Sequence, residues 1–227
     1  MTLYLRTVDK DRKSYNGFKW PRKIGSIVKA PDWQPAALCG NGLHGLPWGQ
    51  GDLSLLNLHA DSVFQVVEYT GSAAIDLGGK HKFPECTLLF EGARDKAAAL
   101  LAAAAPRNLA IPFLIATADD DGTAMAGPYG TAMAGPYGTA TAGDNGTARA
   151  GSYGTATAGY GGTATAGDNG TATAGIRGTA TAGACGTLML KFFDGSRYRH
   201  AIAYAGENGI EADKPYKLNS AHAFIPA

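Results

Sequence analysis

The sequence predicts a mainly β protein: a short β-solenoid of about four coils, two octapeptides to each 16-residue coil, capped by an N-terminal α+β domain and a C-terminal β-hairpin. Two observations predict it. Glycine returns every eight residues from Gly122 to Gly186, and each interval reads Thr-Ala-x-Ala-Gly followed by two variable residues. A period of this kind marks a repeat architecture, in which each unit buries its apolar face only against its neighbours. Outside the tract the texture changes, which divides the 227 residues into 1–114, 115–186 and 187–227.

In the first part, residues 2–8 (TLYLRTV), 64–70 (FQVVEYT) and 87–92 (TLLFEG) are short runs rich in Val, Leu, Phe and Tyr, and they read as strands. Residues 93–105 (ARDKAAALLAAAA) read as a helix, with strong helix formers, an acidic residue in the first turn and Pro106 as a stop. From Asn16 to Asp61 frequent Gly and Pro point to loops mixed with short strands.

In the repeats, Thr-Ala-Thr-Ala has the alternation of a strand, and pairs such as Asp144-Asn145 and Pro128-Tyr129 are turn formers that make corners. The slots of Ala124, Ala132, Ala140, Ala148, Ala156, Ala164, Ala172 and Ala180 never vary, whereas the alternate slot accepts Met125, Met133, Thr141, Arg149 and Thr157. An arginine cannot point into a core one alanine wide, so the Ala side faces in and the Thr side faces out. A core of this kind gains little from burial, so its stability rests on continuous backbone ladders and on coil stacking upon coil. The register reaches back to Ile115 and forward to Thr187-Leu188-Met189, and Leu188 in an alanine slot implies a core that widens there. Beyond it, TLMLKFF and SRYRHAIAYAG flank Asp194-Gly195, a strong hairpin signal.

At AGYGGTATAGDNGTATAG the chain resembles the central repeats of bacterial ice-nucleation proteins, whose octapeptides pair into 16-residue coils; the likeness covers residues 115–189. The whole arrangement also resembles small phage and prophage proteins that join an N-terminal domain with a Cys-x-x-Gly-Leu-His element, here Cys39 to His44, to octapeptide repeats and a short C-terminal β segment. That second resemblance implies no activity.

Four groups of residues are candidate sites. The outward threonines form ladders, with complete Thr-x-Thr rungs at Thr139/Thr141, Thr155/Thr157 and Thr171/Thr173 on one face; the ice-nucleation resemblance implies that such an array can order ice-like water. Thr is also simply the β-branched residue that suits an exposed sheet face. The corner tyrosines Tyr129, Tyr137, Tyr153 and Tyr160 suit a self-association or partner surface. Cys39, His44, Trp48 and Asp52 fall close together in a glycine-rich stretch and suggest a pocket. Lys10, Arg12, Lys13, Lys19, Arg22 and Lys23, interleaved with Tyr15, Phe18 and Trp20, could hold single-stranded nucleic acid, although a solvated hairpin face explains them more simply.

Composition narrows the classes. A formal net charge of +1 supplies no field to draw the chain to nucleic acid or an anionic membrane. No apolar run approaches the ~20 residues of a membrane span, and the start lacks the order of a signal peptide. Three unpaired cysteines fit a reducing compartment, so the expectation is a cytoplasmic protein, in a host cell if phage-encoded. Cys39, His44, His59 and Cys86 lack metal-ligand spacing, and no phosphate-binding loop is present, so neither metal nor cofactor is expected. The resulting expectation is a non-enzymatic structural or interaction protein whose rigid solenoid faces a protein partner or a second copy. The alternatives are weak ice binding through the threonine ladders, and an N-terminal enzyme or host-directed effector centred on His44.

Overall fold

The computed structural model describes residues 1–14 and 16–227. The chain divides into two units, Met1–Ile111 and Pro112–Ala227.

In the first unit, β1 (Thr2–Val8), β2 (Ile27–Lys29), β3 (Leu43–Pro47), β4 (Val63–Tyr69), β5 (Ile75–Asp76), β6 (His81–Phe83) and β7 (Glu85–Gly92) form a single sheet in the order β2-β7-β4-β1-β3-β6-β5. Every pairing in it is antiparallel. The central strand β1 runs against β4 over its whole length, from Thr2 beside Tyr69 to Val8 beside Val63. Its residues Leu3, Tyr4, Leu5 and Arg6 are buried in succession, the signature of a strand covered on both faces. Helix α1 (Arg94–Ala104) packs on β1, β4 and β7 and buries Ala97, Ala98 and Leu101. Tyr4, Trp20, Val67, Tyr69, Phe83 and Leu88 belong to a separate cluster within the unit. The three strands and the helix expected here are present, the first with the expected ends and the others with ends moved by at most two residues, and the Gly- and Pro-rich stretch contains β2 and β3.

In the second unit ten strands, from β8 (Ile115–Ala118) and β9 (Thr123–Ala126) to β17 (Thr187–Phe193), follow one another at eight-residue intervals. Alternate strands pair in parallel, so that Ala140 lies between Ala124 and Ala156 in one ladder and Ala148 between Ala132 and Ala164 in the other. The result is a β-solenoid with two sheets and about 5 turns, one more than expected. The extra turn arises because Ile115–Ala118 and the segment from Thr187, which depart from the octapeptide motif, pair in register as the first and last strands. Ala132, Ala140, Ala148, Ala156, Ala164 and Ala172 are fully buried, which places the Ala side inward.

Each corner is a four-residue turn, as where Gly154 N–H donates to Gly151 O at 3.0 Å. The residue before the closing glycine carries the positive φ: Asn145 at 53°, Tyr153 at 57° and Asn169 at 54°. The closing glycines are needed for another reason. A Cβ on Gly154 would lie 2.8 Å from the Ala150 Cβ and 2.9 Å from the Gly138 carbonyl oxygen of the preceding coil. Coils stacked at the ~4.8 Å strand spacing leave no room for that atom.

At the C-terminal end β18 (Tyr198–Tyr204) pairs antiparallel with β17. Asp194 closes the connection as a four-residue loop rather than a two-residue turn: its N–H donates to Arg197 O, and its carboxylate accepts from the N–H groups of Ser196 and Arg197 and from Arg199 Nε. A second hairpin, β19 (Tyr216–Leu218) with β20 (Phe224–Pro226), sets Tyr216 antiparallel beside Ala180 on the other sheet. Both sheets therefore end under an antiparallel strand, which covers the last parallel strand and leaves β18 and β20 as the edges at this end. Here Leu188, Leu190, Ile210 and Tyr216 join the alanine core, which widens as the sequence implied.

Candidate functional site

The solenoid carries its variable residues on two outer faces. On one, Thr139, Thr155 and Thr171 stand side by side in register, as do Thr141, Thr157 and Thr173. Thr123 and Thr187 extend the first column, while Met125 and Met189 terminate the second. Threonines two apart on a strand are ~6.7 Å apart and repeat at ~4.8 Å between coils, giving a regular lattice of hydroxyls and methyls. The other face keeps complete rungs only at Thr163/Thr165 and Thr179/Thr181, after Met133 and Arg149.

The four tyrosines do not form one surface. One octapeptide is half a coil, so residues eight apart stand at opposite corners. Tyr137 and Tyr153, sixteen apart, share a corner, and their exposed rings stack with centroids 5.1 Å apart and an interplanar angle of 6°. Tyr129 is on the opposite corner and stacks on Phe113 at 5.7 Å. Tyr160 occupies a different slot of that second corner, beneath the guanidinium of Arg177. The acidic turn residues have a structural duty, for Asp144 Oδ1 accepts the Tyr160 N–H and Asp168 Oδ1 the Ala184 N–H of the next coil, both at 2.8 Å.

The first unit contains a cavity of about 420 Å³. Cys39 and His44 line it, whereas Trp48 and Asp52 do not. Asp52 instead caps the short helical turn Leu53–Leu55 by accepting from the N–H and hydroxyl of Ser54. Sequence reasoning missed the basic residues at this site. Arg6, buried on β1, lies 3.7 Å above the Trp20 ring and donates to His44 O at 3.0 Å and Ser14 Oγ at 2.8 Å. Lys80 Nζ donates to Cys39 Sγ at 3.1 Å, and the buried Lys82 donates to the carbonyls of Leu38 and Gly40. No local motif signals this convergence; it results from β3 lying between β1 and β6.

The electrostatics follow from burial and charge. Burial, then Lys80, Arg6 and Lys82, push the His44 imidazole down to about 4, so it is neutral at physiological pH. Burial lowers the Arg6 guanidinium to about 9. The hydrogen bond from Lys80 lowers the Cys39 thiol, while burial pushes Cys86 up to about 12. Cys39 thus has the electropositive, exposed setting of a reactive thiol, and Cys86 that of an inert one.

The remaining candidates are dispersed. Trp20 is buried beneath Arg6 and Arg12 pairs with Glu91 at 2.6 Å, so neither is free to take part in an open stacking platform; Tyr15 lies outside the described residues. Among the described residues no group of three His, Cys, Asp or Glu side chains comes together to hold a metal ion, and no helix is long and apolar enough to cross a membrane.

Residues 2–99 match the family model of a domain of unknown function, DUF7666. The curated relatives are ice nucleation proteins. One from Xanthomonas campestris pv. translucens is 37% identical over 106 residues, 46% of this chain and 7% of its own length. InaU of Pantoea ananas is 37% identical over 97 residues, 42% of this chain and 9% of its own. One from Pseudomonas syringae is 41% identical over 103 residues, 44% of this chain and 8% of its own. The chain thus spans less than a tenth of the length of these relatives, and none of them is a phage protein. No solved structure matches. The relatives correct the cytoplasmic expectation: ice nucleation proteins are anchored at the bacterial outer membrane, although the shared region is the repeats alone.

Proposed function

We propose that the solenoid is a rigid display surface whose threonine face contacts ice or ordered water. The observation that carries this reading is the in-register array of Thr139/Thr141, Thr155/Thr157 and Thr171/Thr173, held flat by the ladder beneath it. Likeness of the repeats to ice nucleation proteins supports it. Size limits what the surface achieves. Five strands at ~4.8 Å span roughly 19 Å between the outermost, too little to stabilise a critical ice embryo but enough to adsorb to existing ice. The test is ice recrystallisation and droplet freezing with the intact chain, beside a variant in which Thr155, Thr157, Thr171 and Thr173 are all Lys. Weak recrystallisation inhibition that the four changes abolish, with the β-sheet circular dichroism retained, supports the reading; inhibition that survives them overturns it.

A second reading rests on the Tyr137–Tyr153 stack, an exposed aromatic pair at one corner that suits association of two copies. Sedimentation of the intact chain and of a Tyr137→Ser, Tyr153→Ser variant tests it. A shift toward monomer supports self-association, and a monomer in both excludes it.

A further inference from the structure

We propose that the cavity of the first unit is a binding site for a small organic anion: one carboxylate or phosphate group carried on an apolar body. The charges around it are unbalanced. Arg6 and Lys80 line the cavity, and Asp32 is the only acidic residue among the described residues that does. Lys82, 1% exposed, is not itself on the cavity wall but donates to the carbonyl of Gly40, which is, and to that of Leu38, and among the described residues it pairs with no carboxylate. Arg6 is only 8% exposed, and no carboxylate lies within ion-pair distance of it among the described residues. A guanidinium removed from water without a counter-charge is costly, and an anionic ligand supplies what the protein does not.

Two nitrogens at this site also lack a partner. Arg6 Nε and His44 Nε2 are buried without a hydrogen bond among the described residues. Buried polar nitrogens of this kind are ordinarily satisfied, and both belong to residues that line the cavity. The other two guanidinium nitrogens are occupied by His44 O and Ser14 Oγ, and Trp20 underlies the group, so Arg6 is held in place before any ligand arrives. With its proton on Nε2, a neutral His44 would offer an anionic oxygen a donor without adding charge. Around these groups the walls are apolar, with Leu5, Phe18, Leu46, Leu55 and Leu56. The volume of about 420 Å³ lies within the roughly 300–1,000 Å³ of small-molecule sites. Cys39, held beside Lys80, stands at the same cavity and reports on its occupancy.

The experiment is calorimetric titration of the intact chain with phenyl phosphate, decanoate, inorganic phosphate, phenol and decanol. Phenyl phosphate or decanoate is expected to bind, with phenol, decanol and inorganic phosphate about tenfold weaker or more, since a charge-assisted hydrogen bond and the apolar contact are each lost in turn. Which of the two anions binds more tightly distinguishes a phosphate ligand from a carboxylate one. Lys80→Ala, which removes a partly exposed side chain, should weaken binding about tenfold; Arg6→Gln should do the same, with its thermal melt recorded alongside. Bound ligand should also slow iodoacetamide labelling of Cys39 while leaving that of the exposed Cys185 unchanged. Failure of both organic anions to bind, equal binding of the neutral analogues, or an unchanged affinity in Lys80→Ala overturns the proposal.

Discussion

Tyr137 and Tyr153 stack in parallel on backbone that both hold at a φ of 57°. A bulky residue in the left-handed region costs of order 1 kcal/mol or more, and Asn or Gly suits that conformation better. The same turn position holds Asn169 one coil on at this corner, and Asn145 and Gly161 at the opposite corner. Tyr153→Asn is therefore expected to leave the thermal midpoint of the solenoid unchanged or slightly raised, whereas Tyr153→Val lowers stability by ~1 kcal/mol or more. Equal melting of the two variants would show that the corner backbone is not strained.

Inside and outside are separated by one residue. Ala156 is fully buried, whereas its neighbour Thr157 faces solvent in part. Ala156→Leu is expected to cost ~1 to 3 kcal/mol or more through overpacking, and Thr157→Leu far less. Chemical denaturation of both variants checks the difference.

Stacking makes a comparable demand at the corners. Gly154→Ala drives a Cβ to 2.8 Å from the Ala150 Cβ and against the preceding coil, so the ladder has to open there. At Gly195 in the hairpin loop a Cβ meets nothing within 4 Å, and only its φ of 98° opposes substitution. Gly154→Ala should lower the melting temperature clearly more than Gly195→Ala, whose cost is ~1 kcal/mol. The reverse order would remove the steric account of the octapeptide glycine.

His44 gives the first unit a pH dependence. Its folded-state value of about 4 lies below the ordinary 6.5, so between these the unfolded chain binds the extra proton. The stability from keeping His44 neutral is present above pH 6.5 and is lost as pH falls toward 4. His44→Gln should flatten that part of the stability profile, measured by urea denaturation at pH 7 and pH 4.5; an unchanged slope would place the titration elsewhere.

The repeat was legible because a strict octad ties composition to position, so that one Arg149 in an outward slot settles which side is the core. Its two ends were less so. Ile115 and Leu188 break the motif while keeping the register, and a three-residue strand such as β19 carries too few side chains for a period to show. The cavity was half visible. Cys39 and His44 share a local motif, but Arg6 and Lys80 reach them through the strand order of a sheet, which leaves no trace in spacing. Trp48 and Asp52, near in sequence, do not line it.

Because each octapeptide is half a coil, parity decides which sheet a strand joins. Removing or duplicating a single octapeptide would send every later strand to the sheet opposite the one it now shares with earlier strands, so a threonine column begun before the change would not continue after it on the same face. Removing or duplicating two keeps the columns aligned. The terminal hairpins are indifferent to either change, since β18 pairs with the strand directly before it and β19 with the strand before that. A change in repeat number therefore acts on the continuity of the outer faces and leaves the closure of the C-terminal end as it was.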